Sequence, residues 1–124
     1  MPRYAALIYT SAATEGEGTP EEWAHIMEEY NEFGNAAAAA GVLGAGEALE
    51  STSTATTVHV AGGKGGDLVT TDGPFAETKE VLGGYYLVDV ASRERAEELA
   101  AELPSATYGR NEVRPLMELP EMPA

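Results

Sequence analysis

The chain has 124 residues, 44% of them hydrophobic, with 21 acidic against 7 basic side chains and a formal charge of −14. That length and composition predict one globular domain with a single packed core, and so negative a surface disfavours direct nucleic-acid binding, which relies on Lys and Arg releasing counterions. The lack of cysteine excludes disulfides, a thiol nucleophile and thiolate metal sites.

No apolar run approaches the roughly 20 residues that cross a bilayer. The opening MPRYAALIYT has neither the long apolar core nor the cleavage site of a signal peptide. A cytoplasmic protein without membrane contact is expected. One domain is expected over residues 1–117, with a frayed tail over 118–124.

In chain order, Arg3 to Tyr9 is a β-rich run that is apolar on both alternations: Tyr4, Ala6 and Ile8 point one way, Ala5, Leu7 and Tyr9 the other. A polar loop, SAATEGEG, follows. Thr19-Pro20-Glu21-Glu22 announces a helix, with Thr19 as cap, Pro20 at the first position and Glu22 where a capping-box carboxylate reaches back. Trp23, Ile26, Met27, Tyr30, Phe33, Ala37 and Ala40 form its apolar stripe, with Tyr30 near the centre. The alanines at 36–40 let the helix lie close to a sheet, and Gly41 ends it.

Val42 to Leu49 reads as a strand in which glycines impose a bend or bulge. TTVHV and DLVTT form a hairpin around the AGGKGG tip, and Asp72-Gly73-Pro74-Phe75 closes its second arm. Gly84 to Val90 is a strongly apolar strand. Ser92 caps a second helix whose Ala96, Leu99, Ala100 and Leu103 are its buried stripe, and Pro104 stops it. Arg110 to Met117 is a last strand, placed by Pro115 at an edge or near its end.

This order predicts an α+β fold: a ferredoxin-like antiparallel sheet with two helices on one face and an inserted β-hairpin. Two helices cover one face of the sheet, yet the first and fifth strands are apolar on both. A second copy of the sheet is the economical cover, so a homodimer packed sheet to sheet is expected.

STSTATTVHV followed by DLVTTDGPFAETKEVLGGYYLVDV, over residues 51–90, closely resembles the DGPF branch of the YCII-related family. RYAALIY, AAGVLGAGEAL and EVRPL resemble the same pattern, so the likeness covers nearly the whole chain. The resemblance implies a dimeric α+β barrel, in agreement with the strand faces. It also implies two roles of different kinds. The wider group carries a His and an Asp suggestive of an enzyme, whereas the DGPF branch occurs beside or fused to sigma factors of the extracytoplasmic-function type. The resemblance thus admits a non-catalytic accessory protein linked to transcription initiation as the alternative. The group's histidine lies about eleven residues before the helix-ending Gly, and here that position is Tyr30. His25 is five residues earlier and turned off the apolar stripe.

Asp72 has two readings. Asp-Gly-Pro is strong turn chemistry; alternatively Asp72 points into a pocket between helix and sheet as base or ligand anchor, with Phe75 as an apolar wall. Tyr30 is either core with one hydrogen-bond partner or a phenol donor in that same pocket. Glu77, Lys79 and Glu80 read as surface ion pairs, with Lys79 as a candidate holder of an anionic ligand. Glu47, standing among small apolar residues, is a candidate to reach Lys79 or a ligand. His25 and His59 are isolated, His59 on the wetter face of its strand, so no metal is expected. AGGKGG lacks phosphate-loop spacing and has no helix after it, and no cofactor is expected. The functional expectation is a dimeric small-molecule binding protein or acid–base enzyme with Asp72 and Tyr30 as catalytic pair and Glu47, Phe75 and Lys79 around the ligand.

Overall fold

The apolar run at the N-terminus becomes the inner strand on which the rest of the protein is assembled. The structure, a computed structural model, describes residues 2–14, 18–75 and 78–119. Its elements are β1 (Arg3–Ser11), α1 (Pro20–Ala39), β2 (Leu43–Ala48), β3 (Thr56–Ala61), β4 (Asp67–Asp72), β5 (Glu80–Asp89), α2 (Arg93–Glu102), α3 (Ser105–Tyr108) and β6 (Arg110–Pro115), with single 3-10 turns at Ala12–Thr14 and Thr52–Thr54. A four-stranded sheet has the order β2-β5-β1-β6 and every neighbouring pair is antiparallel. This is the ferredoxin-like α+β plan. The inserted hairpin β3-β4 stands apart as a two-stranded sheet of its own.

The helix caps follow from the sequence. Thr19 Oγ1 accepts from the Glu22 backbone N–H at 3.1 Å, with Pro20 opening α1, and Ser92 Oγ accepts from Arg95 N–H at 3.2 Å at the start of α2. Each cap satisfies one otherwise orphaned donor. Gly41 leaves α1 at φ +73°, a left-handed conformation that suits glycine. Pro104 does end α2, but α3 follows at once, an extra helical turn the sequence reading lacked. Strand β5 starts at Glu80, four residues before the expected Gly84, and β6 ends at Pro115 on the sheet edge.

The core lies between the sheet and one side of the helices. Ala6 and Ile8 of β1 and Val88 of β5 meet Phe33 and Ala37 of α1, and Ala96, Leu99 and Ala100 of α2 together with Leu103 after its end. Among polar side chains of the described residues, Ser105 is fully buried, and its Oγ donates to Asn111 Oδ1 at 2.7 Å while Asn111 Nδ2 donates to the Ala100 carbonyl at 2.8 Å. That network fastens α3 and β6 to the end of α2.

On the opposite face, cross-strand register aligns Ala5 with Leu87 and Leu7 with Tyr85. The two-sided apolar character expected of β1 is therefore present. The hairpin departs from expectation: Val58, Val60, Leu68 and Val69 are all exposed, so neither of its faces is dry, and His59 is not distinguished from its valine neighbours by burial. A two-stranded ribbon offers no second layer against which valines could be covered. The ion pairing expected of Glu77 and the end of the tail from residue 120 lie outside the described residues.

Candidate functional site

Two halves of α1 behave differently. Phe33 and Ala37, in the C-terminal half, are buried against the sheet; Trp23 and Met27, in the N-terminal half, remain 44% and 46% exposed although they belong to the same apolar stripe. At the C-terminal end Phe33 and Ala37 close the contact with the sheet, while the bulky side chains of the N-terminal end stand over open space. The space beneath is a cavity of about 720 Å³.

Its helix wall carries Trp23, Ile26, Met27 and Tyr30; its sheet wall includes Ile8, Gly46, Gly84 and Tyr86. Glycine shapes that wall. A Cβ on Gly46 would lie 2.6 Å from Tyr86 Cδ1, so the missing side chain gives the Tyr86 ring its place across β2. Ile8 pairs with Gly84 and Tyr9 with Leu82, which leaves Gly83 as an extra residue in β5. This β-bulge forms part of the cavity wall. A second register shift falls between Leu43 and Gly46, where the glycines of β2 were expected to bend it.

Three phenols meet at the inner end. Tyr30 and Tyr108 hydroxyls are 2.9 Å apart and share a hydrogen bond in which either can donate. The Tyr30 ring stacks on Tyr86 with centroids 6.4 Å apart and planes 13° from parallel, and Tyr86 in turn meets Phe33 edge to face at 5.2 Å. Such pairs hold rings in fixed orientation beyond what area burial supplies. Burial, then the charge of Tyr30, raises the Tyr86 pKa above its ordinary value. Burial also raises that of Tyr108 strongly, followed by the hydrogen bond with Tyr30 and the charges of Tyr30 and Glu29. Both phenols therefore hold their protons to higher pH than an ordinary tyrosine does.

The five candidate residues separate. Tyr30 and Glu47 line the cavity; Asp72, Phe75 and Lys79 do not. Asp72 is exposed at the end of β4, opposite Thr56. Gly73 follows at φ +99°, its N–H donating to the Ala55 carbonyl at 2.7 Å, and Thr57 Oγ1 donates to the Gly73 carbonyl at 2.8 Å. The geometry here is that of a tied turn. Phe75 is 91% exposed and does not line this cavity. Lys79 is exposed, and its backbone carbonyl accepts from Ala12 N–H at 2.8 Å. Glu47 pairs with Tyr85, so its side chain shares the face of Tyr85, opposite that of Tyr86. His25 lies 2.8 Å from Glu29 on the exposed side of α1.

Tyr86, Tyr108 and Trp23 were not foreseen as site residues. Trp23 had been assigned to the core stripe, and Tyr86 stands in a strand that reads as core throughout. Tyr108 sits in a helical turn that the sequence did not announce. Among the described residues no group of His, Asp and Glu is placed to hold a metal ion, and no helix is long and apolar enough to cross a membrane.

The fold and this cavity define a ferredoxin-like α+β protein with an aromatic-lined cavity between one helix and its sheet. The chain belongs to the YCII-related family, whose domain matches residues 2–120. It is 36% identical over 115 residues to an uncharacterized protein of Rhizobium meliloti (strain 1021), a match spanning 91% of this chain and 90% of that relative.

Proposed function

We propose that this protein binds a small, mostly apolar molecule in the cavity beneath the N-terminal half of α1, with the Tyr30–Tyr108 pair as its polar anchor. The observation that carries this reading is a hydrogen-bonded pair of phenols at the wall of a cavity of about 720 Å³ otherwise lined largely by apolar groups. A few convergent polar groups in an apolar concavity is the usual composition of a small-molecule site. Binding is carried forward over acid–base catalysis because Asp72, the base in that scheme, lies off the cavity.

The test is thermal unfolding against a panel of aromatic and alicyclic metabolites. A ligand at 100 times its Kd stabilises by about 2.7 kcal/mol, which shows as a raised midpoint. Tyr30→Phe together with Tyr108→Phe removes the anchor, and a lost hydrogen bond of about 1 kcal/mol weakens binding roughly fivefold. A ligand bound equally well by the double variant sinks the anchor.

The same reading includes a homodimer. Leu7, Tyr9, Tyr85 and Leu87 give the sheet face away from the core an apolar character, and all four are only partly buried in the single chain. Sedimentation equilibrium at micromolar concentration should return twice the 13.0 kDa chain mass. A monomer mass would remove the dimer and leave the cavity reading intact.

A further inference from the structure

The charge and the aromatic faces of the cavity together narrow what can occupy it. Among the described residues, every charged residue that lines it is a glutamate: Glu22, Glu47 and Glu50. Among the described lining residues there is no Lys, Arg or His. The chain as a whole adds a formal charge of −14, so an anion approaches against both the local and the overall field.

Two of these acidic residues have favourable positions. Gly18, at φ +116°, brings the chain against the start of α1, where an added Cβ would lie 3.3 Å from Trp23 Nε1 and 3.7 Å from Glu22 Oε2. The indole and the carboxylate thus stand side by side at one edge of the cavity. Glu50 follows β2 on the opposite wall. Glu47 contributes its charge less directly, since register turns its side chain toward the Tyr85 face.

The aromatic faces add a second, independent preference. Trp23, Tyr30 and Tyr86 present π-systems whose faces are electron-rich and attract cations within about 6 Å. The Tyr30 and Tyr86 rings stack near parallel, so each has one face turned toward the other ring and one turned away from it. The phenols supply hydrogen bonds but no positive charge with which to hold a carboxylate.

We propose that the cavity takes an organic ammonium ion: an apolar, aromatic body against Trp23, Tyr30 and Tyr86, with the cationic head held by the field of Glu22 and Glu50. This inference rests on the cavity being a binding site and names the ligand class that site selects.

The test uses the full chain and three probes of similar size: benzyltrimethylammonium, benzyl alcohol and phenylacetate. Trp23 is the single tryptophan of the chain, so its fluorescence reports occupancy directly. Benzyltrimethylammonium should bind about tenfold more tightly than benzyl alcohol, the ratio expected for a desolvated cation–π contact with a nearby carboxylate. Phenylacetate should be the weakest of the three. The double variant Glu22→Gln, Glu50→Gln should reduce the ammonium preference to about threefold or less, as should raised salt in the wild type if the carboxylates act through solvent. Equal affinity for all three probes, or tighter phenylacetate, overturns the ammonium assignment while upholding the cavity as a binding site. No response of Trp23 to any probe overturns both. A preference that survives the glutamine substitutions overturns the role given to Glu22 and Glu50.

Discussion

Both main helices lie on one face of the same sheet, and both carry a clear apolar stripe, yet they are used differently. The stripe of α2 is consumed: Ala96, Leu99 and Ala100 are buried, and Leu103 beyond its end is 1% exposed. The stripe of α1 is consumed only at its C-terminal end, by Phe33 and Ala37, while Trp23 and Met27 stay half exposed over the cavity. Helical periodicity reports which side of a helix is apolar. It does not report whether that side meets a wall or a space, because the separation between helix and sheet depends on residue size along the stripe. Phe33 and Ala37 seat α1 in the core at one end; Trp23, Met27 and Tyr30 line the cavity at the other.

The largest expected effect comes from testing that contrast by truncation. Leu103→Ala removes a fully covered side chain and should destabilise by about 2–5 kcal/mol in denaturant unfolding, the range for large-to-small changes in a core. Met27→Ala, on the raised half of α1, should stay within about 1 kcal/mol, because half of the side chain already meets water. If Met27→Ala costs as much as Leu103→Ala, then something covers the α1 stripe in solution and the two helices are alike after all.

The same contrast explains what could be read from the sequence. Signals that act locally were legible: Thr19 and Ser92 as caps, Gly41 as a helix end, and the glycines of β2 as a bend all correspond to backbone groups within a few residues of the signal. The ferredoxin-like plan followed from the order of elements. The inner end of the cavity was not legible, because its contacts join residues far apart in the chain. Tyr30 meets Tyr108 across 78 positions, and Tyr86 is seated by a missing Cβ on Gly46. Tyr30 was singled out by its place in the stripe, but nothing local marked Tyr108 as its partner. The Asp72 motif, which admitted both a turn and a pocket reading, is the opposite case. Asp-Gly-Pro is conspicuous as a string, and its conspicuous feature in the structure is local: a positive φ at Gly73 tied back to Ala55 and Thr57. Exposed apolar residues of β3 and β4 were likewise invisible to pattern, since alternation marks a strand but does not supply the layer that would bury it.

A smaller effect sharpens the comparison at the place where the raised half of α1 is fastened. The hydrogen bond between Tyr30 and Tyr108 joins α1 to the turn that follows α2, so it links the two halves of the contrast. The folded protein holds the Tyr108 proton to a pH above the ordinary tyrosine value of about 10, first through burial and then through Tyr30 and Glu29. Below that ordinary value the folded and unfolded chains both keep the proton, and the phenol gives stability no pH dependence. Between it and the raised folded value, the unfolded chain loses the proton while the folded one keeps it. The unfolded state then binds fewer protons, so stability falls as pH rises, and the contribution is lost through the folded pKa. About half of the Tyr108 surface is exposed, so solvent screens the effect and the fall is shallow. Unfolding of the wild type and of Tyr108→Phe, followed in urea from pH 8 to 11, should give parallel stabilities up to about pH 10 and a steeper alkaline decline in the wild type. Identical declines would mean that the folded protein does not hold this proton. The raised end of α1 would then be fastened by ring contacts with Tyr86 alone, and the anchor assigned to the phenol pair would lose its electrostatic basis.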